Sequence, residues 1–105
     1  MGRVLSGKYP VIKSSEFVIP RQIVPPGASV TLLEPTYFRY AFMLFYGDGG
    51  DGVIINVKIG GEQHQTDGAT KAIGVAPEKI VEIEATNTSP YEQTTPTISI
   101  AYMVW

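Results

Sequence analysis

The stretch Tyr37-Phe38-Arg39-Tyr40-Ala41-Phe42-Met43-Leu44-Phe45-Tyr46 decides the fold class. Six of its ten residues are Phe or Tyr, and aromatic side chains fit the pleated, half-buried surface of a strand better than a helix. Read with period 2, Phe38, Tyr40, Phe42, Leu44 and Tyr46 line one face, and Tyr37, Arg39, Ala41, Met43 and Phe45 line the other. Both faces are largely apolar. That predicts one long strand, either central in a sheet or half covered by another chain.

The flanking sequence repeats the strand pattern. Val53 to Ile59 alternates cleanly, with Val53, Ile55, Val57 and Ile59 inward and Asn56 and Lys58 outward. Gly60-Gly61 then marks a bend or hairpin turn. Glu62 to Thr66 is polar and reads as an exposed strand or loop, Lys71 to Ala76 as a short strand ended by Pro77. Ile80 to Thr86 sets Val81, Ile83 and Ala85 opposite Glu82 and Glu84, and Thr97 to Trp105 sets Ile98, Ile100, Tyr102 and Val104 on one face. Asn87 to Pro96 reads as a polar loop. Upstream, Phe17 to Val24 is a strand that Pro20 makes an edge or bends, since proline cannot donate to a ladder. Pro25-Pro26-Gly27 and Glu34-Pro35-Thr36 read as turns around a short strand, Ser29 to Leu33.

Seven or eight strands with turn signals every 8–12 residues, and no convincing helical pattern, predict an all-β fold. The expected architecture is a compact antiparallel β-sandwich of jelly-roll type over residues 16–105. Residues 1–15 read as an extended basic arm, with Arg3, Lys8 and Lys13 and no acid.

Composition narrows the function classes. A chain of 105 residues is one domain, and its 44% hydrophobic content against 17% charged excludes wholesale disorder. There is no cysteine, so disulfides, thiolate metal sites and cysteine catalysis are excluded. The net charge of −2 gives no basic excess for nucleic acid. It hides an asymmetry: residues 1–39 carry five basic and two acidic groups, residues 40–105 three basic and eight acidic. No run approaches the roughly 20 apolar residues of a membrane helix. The N-terminus lacks the apolar stretch of a secretory signal, so cytoplasmic synthesis is expected.

The motifs that look chemical are incomplete. Gly2-Arg3-Val4-Leu5-Ser6-Gly7-Lys8-Tyr9 falls short of a phosphate-binding loop, because Tyr9 replaces the small hydroxyl residue that holds magnesium. The same start fits the short myristoylation pattern, which occurs often by chance. Asp48 and Asp51 in the Gly47–Gly52 loop are too few carboxylates for calcium's six to eight oxygens without help from elsewhere. His64 is the only histidine, where a catalytic metal site needs two or three imidazoles or equivalents. That also disfavours a small cupin-like enzyme. Glu82 and Glu84 share a strand face, a spacing compatible with glycoside chemistry but more simply the wet side of an amphipathic strand. Asn87-Thr88-Ser89 is a glycosylation sequon that needs a secretory route to matter.

With no metal, cofactor or catalytic constellation expected, the leading function is non-catalytic. The expectation is a structural or assembly protein that contacts itself or other structural proteins as a homo-oligomer, without nucleic acid or membrane. The interface candidates are Arg3, Lys8 and Lys13 in the arm and Tyr37, Arg39, Met43 and Phe45 on the two-sided strand. The alternative is a carbohydrate-binding β-sandwich module, with Tyr37, Tyr40, Tyr46, Tyr91, Tyr102 and Trp105 as a stacking platform. In style, residues 16–105 resemble small virion proteins (capsid decoration, fibre or minor capsid components): no cysteine, few charges, short strands and many Gly and Pro. That resemblance implies a place in a virion.

Overall fold

The computed structural model describes residues 16–47, 52–66 and 72–102. The strands in chain order are β1 (Glu16–Ile19), β2 (Ile23–Val24), β3 (Ser29–Phe38), β4 (Phe42–Tyr46), β5 (Val53–Ile59), β6 (Glu62–Thr66), β7 (Ala72–Val75), β8 (Lys79–Asn87), β9 (Gln93–Thr94) and β10 (Ile98–Tyr102). Among the described residues there is no helix. One four-stranded sheet has the order β1-β10-β4-β7, the other β3-β8-β5-β6, and β2 and β9 form a two-stranded ladder of their own. Every pairing is antiparallel.

Alternation builds the core. From one sheet come Phe42, Leu44, Tyr46, Val75, Ile98 and Ile100; from the other come Phe38, Val53, Ile55, Val57, Val81, Ile83 and Ala85. All are buried in one cluster, so the two sheets share a single apolar layer. Burying each large side chain is worth about 1.5–3 kcal/mol, which makes this layer the main source of stability.

Of the successive connections between these two sheets, only β5 to β6 stays within one sheet. There Gly60 and Gly61 hold φ of 57° and 91°, the pair of positive values that a tight two-residue hairpin turn requires. The others carry the chain from sheet to sheet.

Three strand expectations are corrected. Tyr37 to Tyr46 is not one strand. Phe38 ends β3 in one sheet, Phe42 starts β4 in the other, and residues 39–41 cross between them. The two phenyl rings meet edge-on across this corner, with centroids 5.0 Å apart at 60°, a favoured aromatic geometry. Glu34-Pro35-Thr36 is not a turn either: β3 runs through it, with register shifts against β8 between Thr31 and Leu33 and between Leu33 and Thr36. Proline is tolerated because β3 is an edge strand. Among the described residues the count is ten strands rather than seven or eight, because Pro20 splits the first predicted strand and the polar loop after Asn87 contributes β9. The expected arm over residues 1–15, the Asp48 and Asp51 loop and the end of the last strand lie outside the described residues.

Asn87 pins the β2–β9 end of the molecule to the sheets. Its side chain is fully buried and fully used. Nδ2 donates to the Val24 carbonyl at 3.0 Å and the Tyr91 carbonyl at 2.7 Å; Oδ1 accepts from the Ser89 amide at 2.9 Å and the Ser89 hydroxyl at 2.8 Å. Thr95 completes the junction, its amide donating to the Gln22 carbonyl and its hydroxyl accepting from the Gln22 amide, each at 2.9 Å. Asn87→Ala strips four bonds from a buried position and is expected to cost about 2–4 kcal/mol in urea unfolding. A loss below about 0.5 kcal/mol, the range of a neutral surface change, would show that the junction is not structural.

Tyr46 is the opposite case. Its hydroxyl is buried, and the buried Thr66 hydroxyl that acts on it stands outside good hydrogen-bond geometry. Burial pushes the Tyr46 phenol from 10.0 up to about 12, against a weaker downward pull from Thr66. The unfolded chain ionises this phenol first, so stability is full below pH 10 and falls as the pH climbs toward about 12. Tyr46→Phe removes a poorly paired polar atom and is expected to keep neutral-pH stability and flatten that alkaline loss. A cost above about 1 kcal/mol at neutral pH would indicate a hydrogen bond worth keeping.

Candidate interaction surface

Register places two outward rows across the sheet β1-β10-β4-β7. Val18, Ser99, Phe45 and Ala72 form one; Glu16, Ala101, Met43 and Gly74 form the next. Val18 is 56% exposed and Phe45 46%. Ala72 and Gly74 are exposed, while Ser99, Ala101 and Met43 are half-buried. Glu16 stands by register at the sheet margin, and no other member of these rows is charged. The surface therefore alternates bulky knobs (Val18, Phe45, Met43) with small residues (Ser99, Ala72, Ala101, Gly74).

The other sheet presents the reverse chemistry. Register sets Lys58 beside Glu82 and Gln63, and Asn56 beside Glu84 and Gln65. Asn56, Lys58, Gln63, Glu82 and Glu84 line one open depression on this wet face. At its β3 margin the Ser29 and Thr86 hydroxyls hydrogen-bond at 2.7 Å.

The predicted interface residues separate accordingly. Met43 and Phe45 share the uncharged face. Tyr37 does not: it is 3% exposed, and its hydroxyl donates to Glu78 Oε1 at 3.3 Å. Burial raises its pKa, the Glu78 carboxylate raises it further, and Arg39 acts in the opposite sense. Arg39 is exposed in the crossing between the sheets. Arg3, Lys8 and Lys13 lie outside the described residues. Val18, Ala72, Gly74, Ser99 and Ala101 complete the face and were not singled out from sequence. The small residues between Ile98, Ile100 and Tyr102 were the available signal, since they mark an outer row as uncharged.

The remaining chemical candidates fall on open surface. Glu82 and Glu84 do share the outer face, beside Lys58 and Asn56. His64 lies on the exposed edge strand β6, 3.9 Å from the Glu62 carboxylate. Among the described residues no three His, Cys, Asp or Glu side chains cluster to hold a metal. The sequon asparagine is fully buried with both amide protons donated, so the folded chain offers it to no transferase. Of the expected aromatic platform, Tyr37 and Tyr46 are buried, Tyr40 and Tyr91 are 49% and 73% exposed, and Trp105 lies outside the described residues. No helix among the described residues is long and apolar enough to cross a membrane.

Comparison with known proteins matched no family model and no curated protein.

Phe45 and Phe42 give a direct test of this inside–outside assignment. Phe45→Lys is expected to change unfolding free energy by less than about 1 kcal/mol, whereas Phe42→Ala should cost about 3–5 kcal/mol. Equal losses would mean that Phe45 belongs to the core.

Proposed function

We propose that this chain is a non-catalytic structural or assembly protein that works by protein–protein contact, with itself or with other structural proteins. The observation that carries the proposal is the contrast between its two outer faces. One bears Lys58, Glu82 and Glu84; the other, Glu16 at its margin apart, bears no charge across four strands. A sheet face turned only to water has no reason to exclude charge, and the cores of protein interfaces are depleted in it. Exposed apolar surface of this kind marks interaction sites.

The strand order supports the finer reading of the fold as a jelly roll. Without the β2–β9 ladder, eight strands remain, and counted along the chain they run 1-8-3-6 in one sheet and 2-7-4-5 in the other. Two Greek keys wound together give that order, and viral capsid domains are among the proteins built this way. A virion component, as decoration, fibre or minor capsid protein, is the assembly we favour. The carbohydrate-binding alternative has less support. Tyr40 and Tyr91 follow opposite ends of the β3–β8 pairing, roughly 27 Å apart at strand rise, too far for one stacking platform.

Sedimentation velocity across a micromolar concentration series tests the proposal. Self-association that weakens in the Met43→Lys, Phe45→Lys double variant is expected. A strict monomer throughout the series would contradict a self-assembling protein.

A further inference from the structure

We infer that two copies of this chain pair edge to edge through β7, antiparallel about Gly74, and so join two four-stranded sheets into one of eight strands. The inference rests on the assembly reading above and names both the edge and its partner.

The edges of the two main sheets differ in how they resist another strand. They are β1 and β7 in one sheet, β3 and β6 in the other. β3 holds Pro35 and two register shifts against β8. β6 sets Glu62 opposite Ile59, which packs against the core, so a carboxylate stands on the core side of that edge. β1 begins at Glu16 and stops before Pro20. Proline, irregular register and inward charge are devices that keep an edge from pairing. β7 has none of them. Residues 72–76, Ala-Ile-Gly-Val-Ala, carry no charge and no proline, and among the described residues β7 pairs with β4 alone. Shortness is its one defence, which makes the pairing concentration-dependent.

Register makes β7 its own complement. Ile73 and Val75 lie on the core side, opposite Leu44 and Phe42. Ile73 packs against the core cluster but is only half-buried, so the apolar layer ends there with an open flank. An antiparallel pair centred on Gly74 sets Ile73 of each copy against Val75 of the other, and the layer continues across the seam. β-Branched residues directly opposite one another stabilise an antiparallel pair. On the outer side Ala72 meets Ala76, and the two Gly74 residues meet on the two-fold axis. No charges oppose one another, and either phase of the ladder closes about four backbone hydrogen bonds or more.

Met43 supplies the outer cover. It stands opposite Gly74, and its Cε and Sδ lie 3.9 and 4.0 Å from where a Cβ at that glycine would be. The side chain therefore lies over the edge strand, toward the seam. Strands about 4.8 Å apart put the two Met43 Cα atoms roughly 14 Å apart across the joined sheets. Two flexible methionine side chains leaning toward each other over a pair of glycines bridge that gap.

Area gives the pairing its consequence. Four strands about 4.8 Å apart and about five residues long present a face of roughly 300 Å². Two such faces pressed together would bury about 600 Å², within the range of incidental packing. Joined through β7, the uncharged faces of two copies make one of about 600 Å², and two of these together reach about 1,200 Å², the lower bound for specific complexes. Edge pairing thus gives the uncharged face the size that a stable contact needs.

The chain has no cysteine, so one introduced thiol reports one contact. Gly74→Cys places it at the centre of the seam, where opposite Cα atoms about 4.5–5.5 Å apart fall within disulfide reach. The new Cβ would meet nothing closer than Met43 Cε at 3.9 Å. Gln63→Cys on the exposed β6 edge is the control. After oxidation of each full-length variant, mass spectrometry is expected to find the position-74 disulfide dimer on the order of tenfold above the position-63 dimer, as the effective concentration of a docked pair implies. Equal yields would overturn the inference. Gly74→Lys sets two ammonium groups against each other at the seam without entering the core. It is expected to abolish self-association in sedimentation velocity while the far-UV circular dichroism stays unchanged. Self-association that survives Gly74→Lys but weakens in the Met43→Lys, Phe45→Lys double variant would overturn the β7 pairing and leave the assembly reading standing. A monomer at every concentration would end both.

Discussion

The rest of this structure depends on one apolar layer. Alternate residues of β4, β5, β8 and β10 are turned into it, among them Phe42, Val53, Val81 and Ala85, and Leu44, Ile98 and Ile100 from one sheet are sealed with Ile55, Val57 and Ile83 from the other. Period 2 leaves the alternate residues outside, so the composition of the outer faces is free to serve something other than stability. Losing the layer would unfold both sheets together. Changing an outer residue would not.

The layer also dictates how the chain travels. A sandwich of two sheets forces most connections across its rim, and each crossing must keep buried backbone groups paired. The Phe38–Phe42 corner closes one crossing with aromatic contact. Asn87 closes the opposite end with four side-chain hydrogen bonds. Glu78 takes a third position, holding φ of 63° while its amide donates to the Phe38 carbonyl at 2.7 Å. That left-handed geometry is uncommon for a residue with a side chain.

Much of this is legible in the sequence, and the illegible parts have physical causes. Val53–Ile59 and Ile80–Thr86 declare their inward faces by alternation, and Gly60-Gly61 declares its hairpin. The break inside Tyr37–Tyr46 is hidden because both faces of that run are apolar, so a change of sheet leaves the pattern unmarked. Pro35 suggests a turn only to a reader who does not know that β3 is an edge. The β2–β9 ladder is two residues long on each side, too short for any periodicity. Asn87 reads as a sequon because two of its partners, Val24 and Tyr91, offer carbonyls that any residue would supply, and the third, Ser89, is itself the sequon serine. The surface divides the same way. Met43 and Phe45 announce themselves, but Ala72, Gly74 and Ser99 matter through register, which only pairing reveals.

What the two outer faces add to the fold is direction. Charge sits on the outer rows of the β3-β8-β5-β6 side, and the outer rows of the β1-β10-β4-β7 side carry none beyond Glu16 at the margin. Backbone amide hydrogen exchange at low and high protein concentration measures this most directly. An interface on the uncharged face predicts concentration-dependent protection confined to β1, β10, β4 and β7. Protection gained instead on β5, β6 and β8, or no change with concentration on either sheet, would contradict it.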